Sequence, residues 1–245
     1  MNYYIMKKIA FTLIAFFVSS FGLSTYAQNV QLHYDYGKDR KMFTTTVEMF
    51  KPDKMGSTFF FIDMDYGSDA SQIDGITLAY WEIARSFKIF KKSNFEPRVE
   101  YNGGFGRGQF HDGDDNTVQD NYSINSAWLI GGQYTWASED FSKVLTLQAN
   151  YKYIKDKNDA AFQLTAIWGL HFFDRKLSLM GFADFWREDF VFGENTTDFV
   201  FLAEPQIWWN AMEHFSFGGE IEISNNFGEN EGFMVNPTVA VKWTF

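Results

Sequence analysis

The chain contains no cysteine. That excludes disulfide bridges, thiolate chemistry and a lipoprotein anchor. It is also short of cations: 21 Lys and Arg stand against 31 Asp and Glu, a formal net charge of −10. Residues 1–27 hold two of those lysines and no acid, so removing that +2 leaves −12 on the rest. The basic footprint of a nucleic-acid binder is missing. Beyond residue 28 no segment has a clear helical period, and no apolar run is long enough for a membrane helix. No HExxH, GxSxG or P-loop sequence occurs. The histidines are scattered: His33 and His171 on strands, His111 in a long connection, His214 at a turn. A barrel phospholipase needs Ser and His paired on its outer wall, and no strand offers such a pair. The expectation is a chain that is not an enzyme and carries neither cofactor nor metal. The acidic stretch "HDGDDN" has oxygen ligands suited to calcium but lacks EF-hand spacing, and reads as a solvated loop tip.

What the chain has in excess is rings. Phe, Tyr and Trp make up 20% of it, with 29 Phe, 12 Tyr and 8 Trp, yet mean hydropathy is only −0.26 and 21% of residues are charged. A helical membrane protein is far more apolar, and a soluble domain rarely carries so many rings. Many rings at moderate hydropathy suit a transmembrane β-barrel, whose strands alternate lipid-facing and lumen-facing residues between two aromatic girdles. The N-terminus fits export. Lys7 and Lys8 precede the apolar run "IAFTLIAFFVSSFGL", and "TYA" before Gln28 supplies small residues for cleavage. The run is short for a transmembrane anchor. The expected division is therefore a signal peptide over 1–27 and an outer-membrane β-barrel over 28–245.

Period-2 segments bounded by Gly, Asp, Asn and Lys clusters recur through the rest. There are about twelve: Val30–Tyr36, Lys41–Phe50, Ser57–Tyr66, Gly75–Phe87, Phe95–Gly103, Ile124–Trp136, Val144–Ile154, Ala161–Phe172, Leu177–Arg187, Asp198–Trp209, Phe215–Ser224 and Phe233–Phe245. Many have the roughly 10 residues that a tilted strand needs to cross a bilayer. In "VLTLQANYKYI", Leu145, Leu147, Ala149, Tyr151 and Tyr153 oppose Thr146, Gln148, Asn150 and Lys152. A slip of one residue would turn those polar groups to lipid, so each pattern fixes its own facing. With both termini periplasmic, the odd-numbered connections are extracellular and should be the longer ones. The fifth (104–123), ninth and eleventh are long, while the first and seventh are short. The terminal "VKWTF" ends on an outward ring, Phe245, the kind of ending read by the barrel assembly machinery. A lipocalin-like barrel or a β-sandwich requires neither this ending nor an apolar face on nearly every strand. The expected fold is an all-β, antiparallel, up-and-down transmembrane barrel.

The stretch "STFFFIDMDYG" defines what the inner face offers. Phe60, Ile62, Met64 and Tyr66 form its lipid face, so Phe59, Phe61, Asp63 and Asp65 face the lumen. The other inferred lumen acids are Asp35, Glu48, Glu82, Glu96, Glu100, Asp184, Glu204, Glu220 and Glu222; the inferred bases are Arg98, Lys152 and Lys242. "FEPRVEYN" lets Arg98 pair with Glu96 or Glu100. Rings sit among the acids: Tyr80 beside Glu82, Phe182 and Trp186 flanking Asp184, Trp208 after Glu204. Carboxylates accept hydrogen bonds from hydroxyls and amines, and rings stack on flat π-faces. Nucleosides fit that pairing, as do some sugars. The plainer alternative is that these rings fill a narrow, closed barrel of structural or adhesive use.

Two segments carry a family likeness. "TTTVEMFKPDKMGSTFFFIDMDYGSDA" and "FEPRVEYN" resemble the Tsx-type nucleoside-specific channel-forming outer-membrane proteins, and the ring-ended last strand agrees. The resemblance implies a monomeric twelve-stranded barrel with a narrow channel that passes nucleosides. By position it implies Glu48, Phe59, Phe61, Asp63, Glu96 and Arg98 as lining residues. The implied partners are outer-membrane lipid and a small, nucleoside-like solute. The loops do not align with the family, and the first strand reads as shorter.

Overall fold

A computed structural model describes residues 27–38, 40–67, 73–90, 93–111, 117–157, 161–192, 194–228 and 230–245. The expected leader, apart from Ala27, and the acidic tip after His111 lie outside the described residues. Thirteen strands form one antiparallel sheet. They are β1 (Ala27–Asp35), β2 (Phe43–Asp53), β3 (Gly56–Tyr66), β4 (Ile76–Phe87), β5 (Phe95–His111), β6 (Thr117–Ala137), β7 (Lys143–Ile154), β8 (Ala161–Phe172), β9 (Leu177–Phe192), β10 (Asn195–Ala203), β11 (Gln206–Asn210), β12 (Phe215–Asn225) and β13 (Phe233–Thr244). β10 and β11 share one position: each pairs with β9 on one side and β12 on the other. β1 pairs with β13 and closes the ring, which makes a twelve-position barrel without a free edge.

The alternation of the sequence is what curls the sheet. On β1, Asn29, Gln31, His33 and Asp35 are buried while Leu32 is exposed. On β13, Val239, Val241 and Trp243 are exposed while Asn236, Ala240 and Lys242 are buried. Register carries this facing around the wall, as in Gln31↔Thr46, Thr46↔Asp63, Asp63↔Tyr80 and Tyr80↔Gly104. The outer surface is a belt of Ile83, Ile130, Leu145, Leu147, Leu164, Ile207 and Phe217, flanked by Trp128, Trp136, Trp209 and Trp243. Such a belt around a closed barrel is the surface of an outer-membrane protein. The closing seam is sealed from inside by side chains. The Asn29 amide donates to Glu48 Oε1 (3.2 Å) and the Gln31 amide to Asn29 Oδ1 (2.8 Å). Because Gln31 spends its Nε2–H on Asn29, its Oε1 must accept from His33 Nε2–H (2.9 Å). His33 Nδ1 is then the acceptor for the Thr238 hydroxyl (3.0 Å) on β13.

Three expectations need correcting. The fifth connection is mostly not a loop: Gly104↔Ile124 through His111↔Thr117 pair as a ladder, and β5 and β6 project as a long hairpin. Gln and Asn between the rings pass for loop residues, but in a hairpin clear of the membrane both faces meet water and no alternation is required. The ninth connection is likewise drawn into β9 and β10, down to Asn195↔Phe192. Asp198–Trp209 is not one continuous strand. It breaks at Glu204 and Pro205, because proline has no N–H to give the ladder.

The start of β1 and the end of β13 lie at one end of the barrel, where Phe245 N–H donates to the Gln28 carbonyl (3.0 Å). The even-numbered turns share that periplasmic end. In the turn after β6, Asp140 accepts from the Ser138 hydroxyl (2.6 Å) and the Ser142 N–H (3.0 Å). These hydrogen bonds, the Ser138 hydroxyl first, hold its carboxyl well below the ordinary carboxylate range. A carboxyl depressed on folding stabilises fully above its unfolded pKa of about 4, and that contribution is lost as pH falls through the lower folded value. Heat-modifiability on gels should therefore weaken in acid below about pH 4, and Asp140→Asn should flatten part of that decline. An identical pH profile in the variant would show that the turn carboxylate contributes nothing.

Candidate functional site

The fifteen positions expected to line the lumen all fall on the inner face, but they divide into two groups. The first is part-exposed and gathers on two walls. On β2, β3 and β4, register sets Glu48 beside Phe61 and Phe61 beside Glu82, with Asp63 beside Tyr80 one step along. Phe59, Phe61 and Tyr80 make a ladder of rings, with centroids 6.0 and 5.9 Å apart. The Tyr80 hydroxyl donates to Glu82 Oε1 (2.7 Å), which also accepts from the Asn102 amide (3.1 Å). Thr46 and Thr44 donate to Asp63 (2.5 Å) and Asp65 (2.7 Å).

Facing them are Phe182 and Asp184 on β9, Glu204 between β10 and β11, and Glu220 on β12. Asp184 accepts from Thr165, and Glu220 from the Gln206 amide (2.9 Å). The two walls are not sheet neighbours, yet Asp63 lies within electrostatic range of Glu204 and Glu220, and Glu82 of Asp184, across the lumen. Glu204 owes its place to the break in the strand. Gly181 has φ +147°, and a Cβ there would lie 2.4 Å from the Glu204 carbonyl oxygen. The wall therefore kinks where Glu204 N–H donates to the Phe182 carbonyl (3.0 Å), which aims the carboxylate inward as bulges next to functional sites do.

The second group points inward but is packed into the wall. Arg98 and Glu100 are buried and bonded to each other. Glu96 takes the Gln133 amide instead (3.1 Å), so the open choice in "FEPRVEYN" resolves toward Glu100. Trp186 is not an open stacking surface: its face lies under Lys152 Nζ, 4.2 Å from the ring centroid. Lys242 Nζ covers Trp208 in the same way at 3.9 Å. Trp208 is fully buried, with the His33 edge against it at 5.9 Å. Two of the lumen's lysines thus lie over indole faces, while still within electrostatic range of Glu82, Asp184 and Glu48.

One cation was not foreseen. Arg40, from the connection between β1 and β2, folds into the mouth and grips Glu222 with both terminal nitrogens (2.8 and 2.8 Å), also reaching Asp35 (3.2 Å). Alternation could not reveal it, since it belongs to no strand. Among the described residues no group of three or more His, Asp or Glu is arranged to hold a metal ion.

The family described as "Domain of unknown function (DUF5020)" matches residues 27–245. Among curated proteins none matches the chain in sequence. Similar solved structures include the KdgM porin, with 8% identity, TM-score 0.49, and 89% of this chain and 99% of that one covered. The translocator domain of the autotransporter NalP from Neisseria meningitidis is similar at 9% identity, TM-score 0.48, covering 98% and 95%. The outer membrane protein Omp33 of Acinetobacter baumannii follows at 14% identity, TM-score 0.42, covering 90% and 97%. At these scores none of them bears on what this lumen passes.

The packed side yields a stability test. Glu100→Gln leaves the Arg98 guanidinium buried without its counter-charge, and should cost about 3–5 kcal/mol. Urea unfolding in lipid vesicles reads the loss. A variant as stable as the parent would mean that Arg98 is hydrated rather than held by Glu100.

Proposed function

The chain belongs to this DUF5020 family, whose description assigns no activity, so its function has to be read from its own lumen; we propose that it is a narrow outer-membrane channel for passive uptake of small, polar, ring-bearing solutes, nucleosides foremost. The observation that carries this reading is the Phe59–Phe61–Tyr80 ladder set into a wall of carboxylates. A water-filled pore of no selectivity gains nothing from inward phenylalanines. A base or similar flat group can stack on the ladder, while Glu82, Asp63 and Glu204 accept hydrogen bonds from ribose hydroxyls or exocyclic amines. These contacts are weak and repeated along the path, as conduction requires. The likeness to Tsx-type channels in "STFFFIDMDYG" and "FEPRVEYN" supports the same solute class.

The charge balance supports a further preference. With Arg98, Lys152 and Lys242 engaged in the wall, the open lumen is acidic, and anions such as nucleotides are disfavoured. Transport is passive and non-catalytic in this reading, the barrel works as a monomer, and Phe245 is the end presented to the assembly machinery. The closed-barrel alternative has one observation in its favour: Trp208, Leu129 and Val200 fill part of the interior completely.

Planar-bilayer recording separates the readings. Millimolar nucleoside should block the current, nucleotides should not, and the reversal potential in a salt gradient should show cation preference. Phe59→Ala and Phe61→Ala should each weaken the block by about 1–3 kcal/mol, roughly 5- to 150-fold. A current indifferent to nucleosides removes the solute assignment, and a barrel that supports neither current nor liposome swelling is closed.

A further inference from the structure

The β1–β2 connection brings the mouth a cation that no strand pattern calls for, and the place that receives it is built by other residues. Glu222 Oε1 accepts the Asn236 amide (3.0 Å) and the Ser224 hydroxyl (3.3 Å), from β13 and β12. Asp35 Oδ1 accepts the Gly37 N–H (2.6 Å). Only glycine fits there, since a Cβ on Gly37 would lie 2.6 Å from Asn236 Oδ1 and 2.9 Å from Asp35 Oδ1. The Tyr36 N–H donates to the Pro237 carbonyl (2.9 Å), which pins the start of the connection to β13. Two carboxylates are thus fixed near one another, with Asp35 only 3% and Glu222 8% exposed. Buried acids without a counter-charge are costly, and here a guanidinium supplies it. Arg40 meets Glu222 as a fork (2.8 and 2.8 Å) and reaches Asp35 at 3.2 Å. Asp65 and Glu204 lie within electrostatic range of the same group. The Arg40 backbone is held by a turn bond to the Gly37 carbonyl (3.2 Å), and its side chain is 30% exposed.

We propose that Glu222 and Asp35 form a guanidinium site at the mouth, which the chain fills with its own Arg40. The ligand class follows from the occupant. A planar fork donates to both oxygens of one carboxylate, and a second carboxylate lies beside one of its nitrogens. A small guanidinium compound presents the same donors, whereas an ammonium or an alkali ion cannot give two parallel N–H bonds. Arg40 is in this sense a specificity-determining residue. Left empty, the site would hold guanidinium-bearing solutes at the mouth, and passage needs weak sites rather than a tight one. A tethered occupant has an effective concentration in the millimolar range, so a free guanidinium competes poorly while Arg40 is in place. The site is set in the wall and its first connection, so it does not depend on which solute the lumen passes.

Arg40→Ala empties the site, and methylguanidinium is the probe. At millimolar concentration it should raise the urea midpoint of Arg40→Ala in lipid vesicles, saturably, and leave the parent and Arg40→Ala/Glu222→Gln unchanged. Methylammonium should not reproduce the rise. In planar bilayers, methylguanidinium added on the loop side should block Arg40→Ala at a concentration at least about tenfold below that needed for the parent. A barrel that carries no current still reports its urea midpoint, so failure of the channel reading is told apart from failure of this one. Should Arg40→Ala not assemble, Arg40→Lys keeps the charge without the fork, and its midpoint should rise with methylguanidinium where that of the parent does not. An unresponsive variant, an equal response to methylammonium, or a response that survives Glu222→Gln overturns the proposal and leaves Arg40 as an ion pair of structural use.

Discussion

In hydrocarbon a backbone N–H or C=O without a partner costs several kcal/mol, and everything else in this barrel follows from meeting that demand. The pairing of β1 with β13 leaves no strand edge to lipid. Once the ring is closed, side chains alternate between two very different solvents, and the sequence has no freedom about which residue faces where. That is why a polar set as large as Asn29, Gln31, His33 and Asp35 can lie along one strand. Each group has a partner inside, and the outer face is left to Leu32 and its neighbours.

The same closure makes the interior crowded, and the crowding sorts the ionisable groups. Where the wall can pack, charges are spent on one another or on rings, as with Arg98 on Glu100 and Lys242 on Trp208. Where the walls stand apart, Asp63, Glu82, Glu204 and Glu220 stay part-exposed on the inner face. Covered and open groups thus alternate along the same strands, as Trp186 and Asp184 do on β9. The break at Pro205 belongs to this division, because it gives up ladder geometry to set Glu204 opposite Asp63.

Most of the fold was legible because lipid enforces a period of two. "STFFFIDMDYG" and "VLTLQANYKYI" could be assigned a facing without any knowledge of their neighbours. Legibility ended where that enforcement ends. Beyond the membrane, in the β5–β6 hairpin, both faces meet water, so the ladder from Gly104 to His111 left no alternating trace. The candidate lining residues follow the inward register of their strands, but facing does not tell exposure. Trp186 and Phe59 look alike in sequence, and only the position of Lys152 separates a covered ring from an open one. Arg40 left no mark at all, since a connection has no period to read.

Arg40 also says something about time. Its two strong contacts run to Glu222, 182 residues later in the chain. A strand-by-strand assembly cannot form them until β12 is in place, and contacts between such distant positions are made late because the loop they close must be ordered first. The mouth of the barrel is therefore finished late, followed by the β1–β13 seam, whose partners are more distant still. A chain halted before β12 would have most of its wall while its outer opening lacked the hold of Arg40.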